Sequence, residues 1–151
     1  MTHTPRIAAT LMALVLTLIG CTPAPEPAPL RVMIGTDLTL TVEHARTMEE
    51  QRTGLGGRDS LPAGAGMLFT FDPAGPRRVW MAGMRFPIDI AWIRDGRIIA
   101  TDTLPACTLP DTNDCPRWDS PGDVDALLET GVGVLDLITT GATITTAPAG
   151  E

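Results

Sequence analysis

Ile88-Asp89-Ile90-Ala91-Trp92-Ile93-Arg94-Asp95-Gly96-Arg97-Ile98-Ile99-Ala100 decides how this 151-residue chain is read. Two apolar runs flank an Asp-Gly pair, whose residues tolerate the positive φ angles that a tight two-residue turn requires, so the stretch predicts a β-hairpin. Along its first arm Ile88, Ile90 and Trp92 face one way, while Pro87, Asp89, Ala91 and Ile93 face the other. Asp89 is thereby placed on a strand among apolar neighbours, where a carboxylate must be hydrogen-bonded or paired.

Outward from the hairpin the same grammar recurs. Leu38, Leu40 and Val42 alternate with Thr39 and Thr41, the period of a half-buried strand. Glu43 to Arg52 reads as a helix with Ala45 and Met48 on one face, ended by Gly54, Gly56 and Gly57. Met67–Phe71 and Arg78–Met81, separated by Asp72-Pro73-Ala74-Gly75-Pro76, read as neighbouring strands joined by a loop. Val124 to Leu128 is expected as a strand, Val132 to Ile138 as a short helix and Ala142 to Thr146 as a last strand, with Gly131 and Gly141 between them. The sum is one compact, β-rich α+β domain with one or two short helices. A barrel-like closure of its sheet is among the arrangements the pattern allows.

The N-terminus carries a different message. Arg6 precedes an apolar run from Ile7 to Ile19, the length of a secretory leader and short of the ~20 residues of a spanning helix. The run ends at Leu18-Ile19-Gly20-Cys21, which resembles the lipobox of bacterial lipoproteins; the resemblance implies diacylation of Cys21, which becomes the mature N-terminus. Each buried acyl methylene contributes about 0.8 kcal/mol, and two chains suffice for a stable anchor. The alternative is an ordinary cleaved signal that leaves Cys21 as a thiol or disulfide partner. Thr22 rather than Asp follows the cysteine, which resembles the pattern for transport to the outer membrane where a cell has two. Alternating prolines from Pro23 to Pro29 favour an extended tether. The expected organisation is a leader at 1–20, a lipidated tether at 21–30, a domain at 31–146 and a frayed tail at 147–151.

Net charge is −7, and with Arg6 removed the mature part carries 10 arginines against 18 acids. Nucleic acid is disfavoured, because a phosphate-binding surface needs a basic patch. The chain has no lysine, which excludes Schiff-base chemistry. Cys107 and Cys115 lie in a segment rich in turn residues, and an exported pair of this kind predicts a disulfide. His44 stands far from both cysteines, so neither a zinc site nor a redox Cys-x-x-Cys motif is expected, and no triad marks it as catalytic.

Four blocks carry a family resemblance: Arg52-Thr53-Gly54-Leu55 with Arg58 and Leu61; Gly66-Met67-Leu68-Phe69-Thr70-Phe71; Trp80-Met81 followed by Phe86-Pro87-Ile88-Asp89-Ile90; and Leu128-Glu129-x-Gly131 with Gly141. In order and spacing they resemble the domain-of-unknown-function family 192 and cover about Leu38 to Thr146. Gly56 replaces that family's usual Met, and Ala82-Gly83-Met84 stands where it has Lys-Asn-Thr, so the polar side chains of that segment are deleted here. The resemblance implies an α+β fold with a curved sheet and supplies no reaction or cofactor.

The candidate ligand-binding residues are Trp80, Arg85, Asp89 and Trp118. Trp118, flanked by Arg117 and Asp119, reads as the better exposed aromatic, and Trp80 on an apolar strand as core. Asp89 is expected to lock a turn or to pair with Arg52, Arg58 or Arg85. Two functions follow: a non-enzymatic envelope module binding a protein, glycan or small ligand, or a hydrolase-like enzyme using Asp89 with a neighbouring Arg or Glu. The absence of a nucleophile constellation favours binding without a cofactor. A carboxylate with a raised pKa in a concave pocket would favour the enzyme.

Overall fold

The computed structural model describes residues 28–150; the leader, Cys21 and most of the tether lie outside them. Nine strands form: β1 Leu30–Ile34, β2 Leu38–Ala45, β3 Ala65–Gly75, β4 Arg78–Trp80, β5 Ile88–Arg94, β6 Arg97–Leu104, β7 Arg117–Asp119, β8 Val124–Gly131 and β9 Ile144–Pro148. Seven make one sheet in the order β6-β5-β8-β3-β2-β1-β9, and β4 with β7 forms a separate ribbon. Every pairing is antiparallel except β2 with β3. A parallel pair demands a crossover, and that connection carries the one α-helix among the described residues, α1 at Met48–Thr53.

The fold is therefore mostly β rather than α+β. The helix expected from Glu43 begins later because Glu43–Ala45 stay in β2. A capping box fixes its start: Thr47 Oγ1 accepts from the Glu50 amide, and the Glu50 carboxylate accepts from the Thr47 amide. The helix expected over Val132–Ile138 is absent. Successive turns replace it, with Gly133 at φ +86° and Leu135 buried.

The hairpin at Asp95-Gly96 forms as expected, both residues at positive φ, joining β5 to β6. Met67–Phe71 and Arg78–Met81 are not neighbours. Both edges of β3 are already occupied, by β2 and β8, so Arg78–Trp80 pairs with β7 instead.

The central strands are buried on both faces, which is why β5 is apolar nearly throughout. One core contains Met67, Phe69, Ile88, Ile90, Trp92 and Leu127, covered by Val79, Met81, Met84 and the disulfide of Cys107 with Cys115. The other holds Val32, Leu40, Val42, Leu68, Ala91, Ile93, Leu128 and Leu135. Curvature brings the sheet's ends together, where Arg97 bridges Thr143 and Ile98 N–H donates to the Ala142 carbonyl. The contact involves only the start of β6, so the sheet does not close into a barrel. At the other end β9 runs to Pro148 opposite Leu30, past the expected strand end at Thr146. Among the described residues no helix is long and apolar enough to cross a membrane.

Candidate functional site

A groove of about 500 Å³ opens over the first core. Phe69 of β3 and Leu127 and Glu129 of β8 line it from the sheet; Gly54 and Leu55 line it beyond α1, and Val79, Trp80, Met81 and Met84 come from β4 and the segment after it. Arg52, Arg77 and Arg78 also line it. Strand alternation places Glu129 on the same face as Leu127, directly between Met67 of β3 and Ile90 of β5.

Glu129 is 6% exposed, and among the described residues its carboxyl makes no side-chain hydrogen bond or ion pair. No fully buried side-chain oxygen is left without a partner among those residues, so its oxygens must touch the open space of the groove. Burial pushes its pKa up to about 8, with the positive charge of Arg58 acting in the opposite sense. Arg58 itself grips Glu43 through both carboxylate oxygens and holds that acid below the usual range. Glu129 is thus neutral at pH 7, able to donate one hydrogen bond and accept another.

The four residues singled out from the sequence do not converge. Trp80 lines the groove at 42% exposure, with the Arg117 guanidinium 4.4 Å from its ring centre. Trp118 packs half-buried against the first core. Their expected exposures are exchanged because residues opposite one another share a face in the β4–β7 ribbon. Trp118 lies opposite the buried Val79, and Trp80 opposite Arg117.

Arg85 pairs with Asp59 at the surface, outside the groove lining. Asp89 lies on the opposite face of the sheet. Its carboxylate accepts from Thr103 Oγ1 at 2.7 Å, from Gly133 N–H at 2.8 Å and from Leu135 N–H at 3.2 Å. It locks the turns that replace the expected second helix and has no arginine partner among the described residues. His44 lies on β2 rather than at a helix start, hydrogen-bonded to Thr70, and burial lowers its pKa. Among the described residues no cluster of three or more His, Cys, Asp or Glu could hold a metal ion.

Glu129 was visible in the sequence only as part of a family block. The signal that marks it is its position two residues after Leu127 in a strand buried on both faces, which forces an acid into the core.

A compact, mostly β domain with an open groove over the buried Glu129 carboxyl is the class that fold and site define. Residues 31–146 match the domain-of-unknown-function family 192, DUF192, described as an uncharacterized ACR, and the chain belongs to that family. No curated protein matches the chain in sequence. Two of the solved structures that match it in fold are the following. A proposed transcription regulator from Sinorhizobium meliloti 1021 is 25% identical with a TM-score of 0.71, covering 82% of this chain and 97% of its own. A protein of unknown function from Novosphingobium aromaticivorans DSM 12444 is 28% identical with a TM-score of 0.66, covering 78% and 83% respectively.

Proposed function

We propose that this protein is a lipid-anchored module of the cell envelope, exported and tethered through Cys21, and that its groove binds a small ligand without catalysing a reaction on it. The carrying observation is the lining of that groove. It is largely apolar, contains a single carboxyl at Glu129, has Gln51, Thr53 and three arginines as its other polar side chains, and sets no Cys, His or second carboxylate beside the Thr53 hydroxyl to activate it. A concave apolar surface with a few polar groups is the usual form of a ligand site, whereas nucleophilic catalysis needs an activated nucleophile and a base. The acidic net charge supports this reading against nucleic-acid binding.

A hydrolase reading has one point in its favour, the raised pKa of Glu129, which suits a general acid. It would have to pass from Asp89, held by three donors on the far face, to Glu129, and no second carboxylate lines the groove to activate water.

The anchor is tested by intact mass and membrane fractionation of the protein from its native host, beside Cys21→Ala. The expected result is a diacylglyceryl-sized mass and membrane retention, both lost in the variant. A soluble, unmodified wild type would overturn the envelope assignment.

A further inference from the structure

The charge around the groove runs against the composition of the chain. In a protein of net charge −7, three arginines and one acid line this opening, and that acid is neutral at pH 7. Arg78 is committed to Asp119, and Arg77 lies over the Phe71 ring while donating to the carbonyls of Pro73 and Pro76. Arg52, in the last turn of α1, is exposed and makes no side-chain hydrogen bond or ion pair among the described residues. The groove therefore pairs a free cation with aromatic and thioether walls and, at its floor, a carboxyl whose hydrogen-bonding capacity is unused.

We infer that the groove takes a small apolar carboxylate, in which a hydrophobic body lies against Phe69, Trp80 and Met84, a carbonyl oxygen accepts from the Glu129 carboxyl, and the anionic group meets Arg52. The inference rests on the reading of the groove as a binding site. A neutral carboxyl can donate to a carbonyl where a carboxylate can only accept, and a guanidinium favours a carboxylate over an uncharged amide. A cationic ligand would meet three arginines.

The charged groups around Glu129 are Arg52 from α1, Arg77 just before β4 and Arg78 within it, all lining the same groove, Arg58 from the segment after α1, Glu43 across Met67 on β2 and Asp102 across Ile90 on β6. Arg58 holds the Glu43 carboxylate below its usual range. Loss of the Glu129 proton above about pH 8 then removes the donor and sets a second negative charge against the ligand.

The test titrates the full chain with N-acetylphenylalanine, its uncharged amide and the cationic phenylalaninamide, read by calorimetry and ligand-observed NMR. The acid is expected to bind about tenfold more tightly than its amide, the size of one charge-assisted hydrogen bond, with the cation weakest. Arg52→Ala is expected to erase the preference for acid over amide. From pH 7 to 9 wild-type affinity for the acid is expected to fall about tenfold, following the protonated fraction, whereas Glu129→Gln shows no such slope. Equal binding of acid and amide, preference for the cation, or a wild-type affinity flat across that range overturns this inference and leaves the groove a binding site. Binding of none of the three overturns the groove reading itself.

Discussion

Glu129→Gln should make the protein less sensitive to alkali, because it removes a buried carboxyl that must surrender a proton as pH rises. The folded-state pKa is raised from 4.5 to about 8 by burial, so the folded protein holds this proton where the unfolded chain has released it. Stability from the group is full below the unfolded value and is lost as pH rises through the folded one. Over pH 5 to 9 the wild type should lose ~4 kcal/mol from this group alone, an order-of-magnitude figure from linkage. Glutamine is nearly isosteric and does not titrate. Urea unfolding of both proteins at pH 5, 7 and 9 isolates the effect, because every other titrating group, His44 included, cancels in the difference between them. That difference should move in the variant's favour by ~4 kcal/mol across the range. A difference constant to within about 0.5 kcal/mol would mean that Glu129 is ionised or hydrated in the folded state, and its neutrality in the groove would be refuted.

Replacing Cys107 and Cys115 together by Ser should cost about 2–3 kcal/mol, the chain-entropy value for so short a loop; unfolding under non-reducing conditions measures it, and an unchanged midpoint would contradict it. Asp89→Asn retains one carbonyl acceptor but turns an NH₂ group toward donors, so a loss of about 2–3 kcal/mol is expected. Hydrogen exchange should show faster exchange at Gly133 and Leu135, whose amides donate to Asp89; unaltered protection there would separate the carboxylate from the turns.

Local chemistry explains what could be read before the structure. The Asp95-Gly96 turn depends on two adjacent residues at positive φ, and the alternation of Ile88, Ile90 and Trp92 against Asp89, Ala91 and Ile93 assigned both faces of β5 correctly. Where distant groups decide, the pattern fails. Val132–Ile138 has helical spacing, but the carboxylate of Asp89, more than forty residues away, takes two of the amides in this segment and holds them as turns. The partner of β4 was misread because sequence proximity says nothing about β3 being enclosed by β2 and β8. Glu129 escaped for the same reason: an acid at the end of a strand reads as solvated until Met67 and Ile90 are placed on either side of it.

The departure from the family pattern acquires a physical meaning in this geometry. Where the family resemblance leads one to expect Lys-Asn-Thr, Ala82 and Met84 contribute to the groove, with Met84 buried at 4% exposure. Gly83 adopts φ +75° and accepts from the Gly57 amide at 2.9 Å, tying this segment to the loop that follows α1. The exchange puts apolar side chains in the same groove as the Glu129 carboxyl, which makes no side-chain hydrogen bond among the described residues. Burial disfavours the charged form of a carboxyl, and burial is what raises the Glu129 pKa. With Ala82 and Met84 in that segment, Glu129 is the one acid among the described residues lining the groove, and Gln51, Arg52 and Thr53 supply further polar groups from α1.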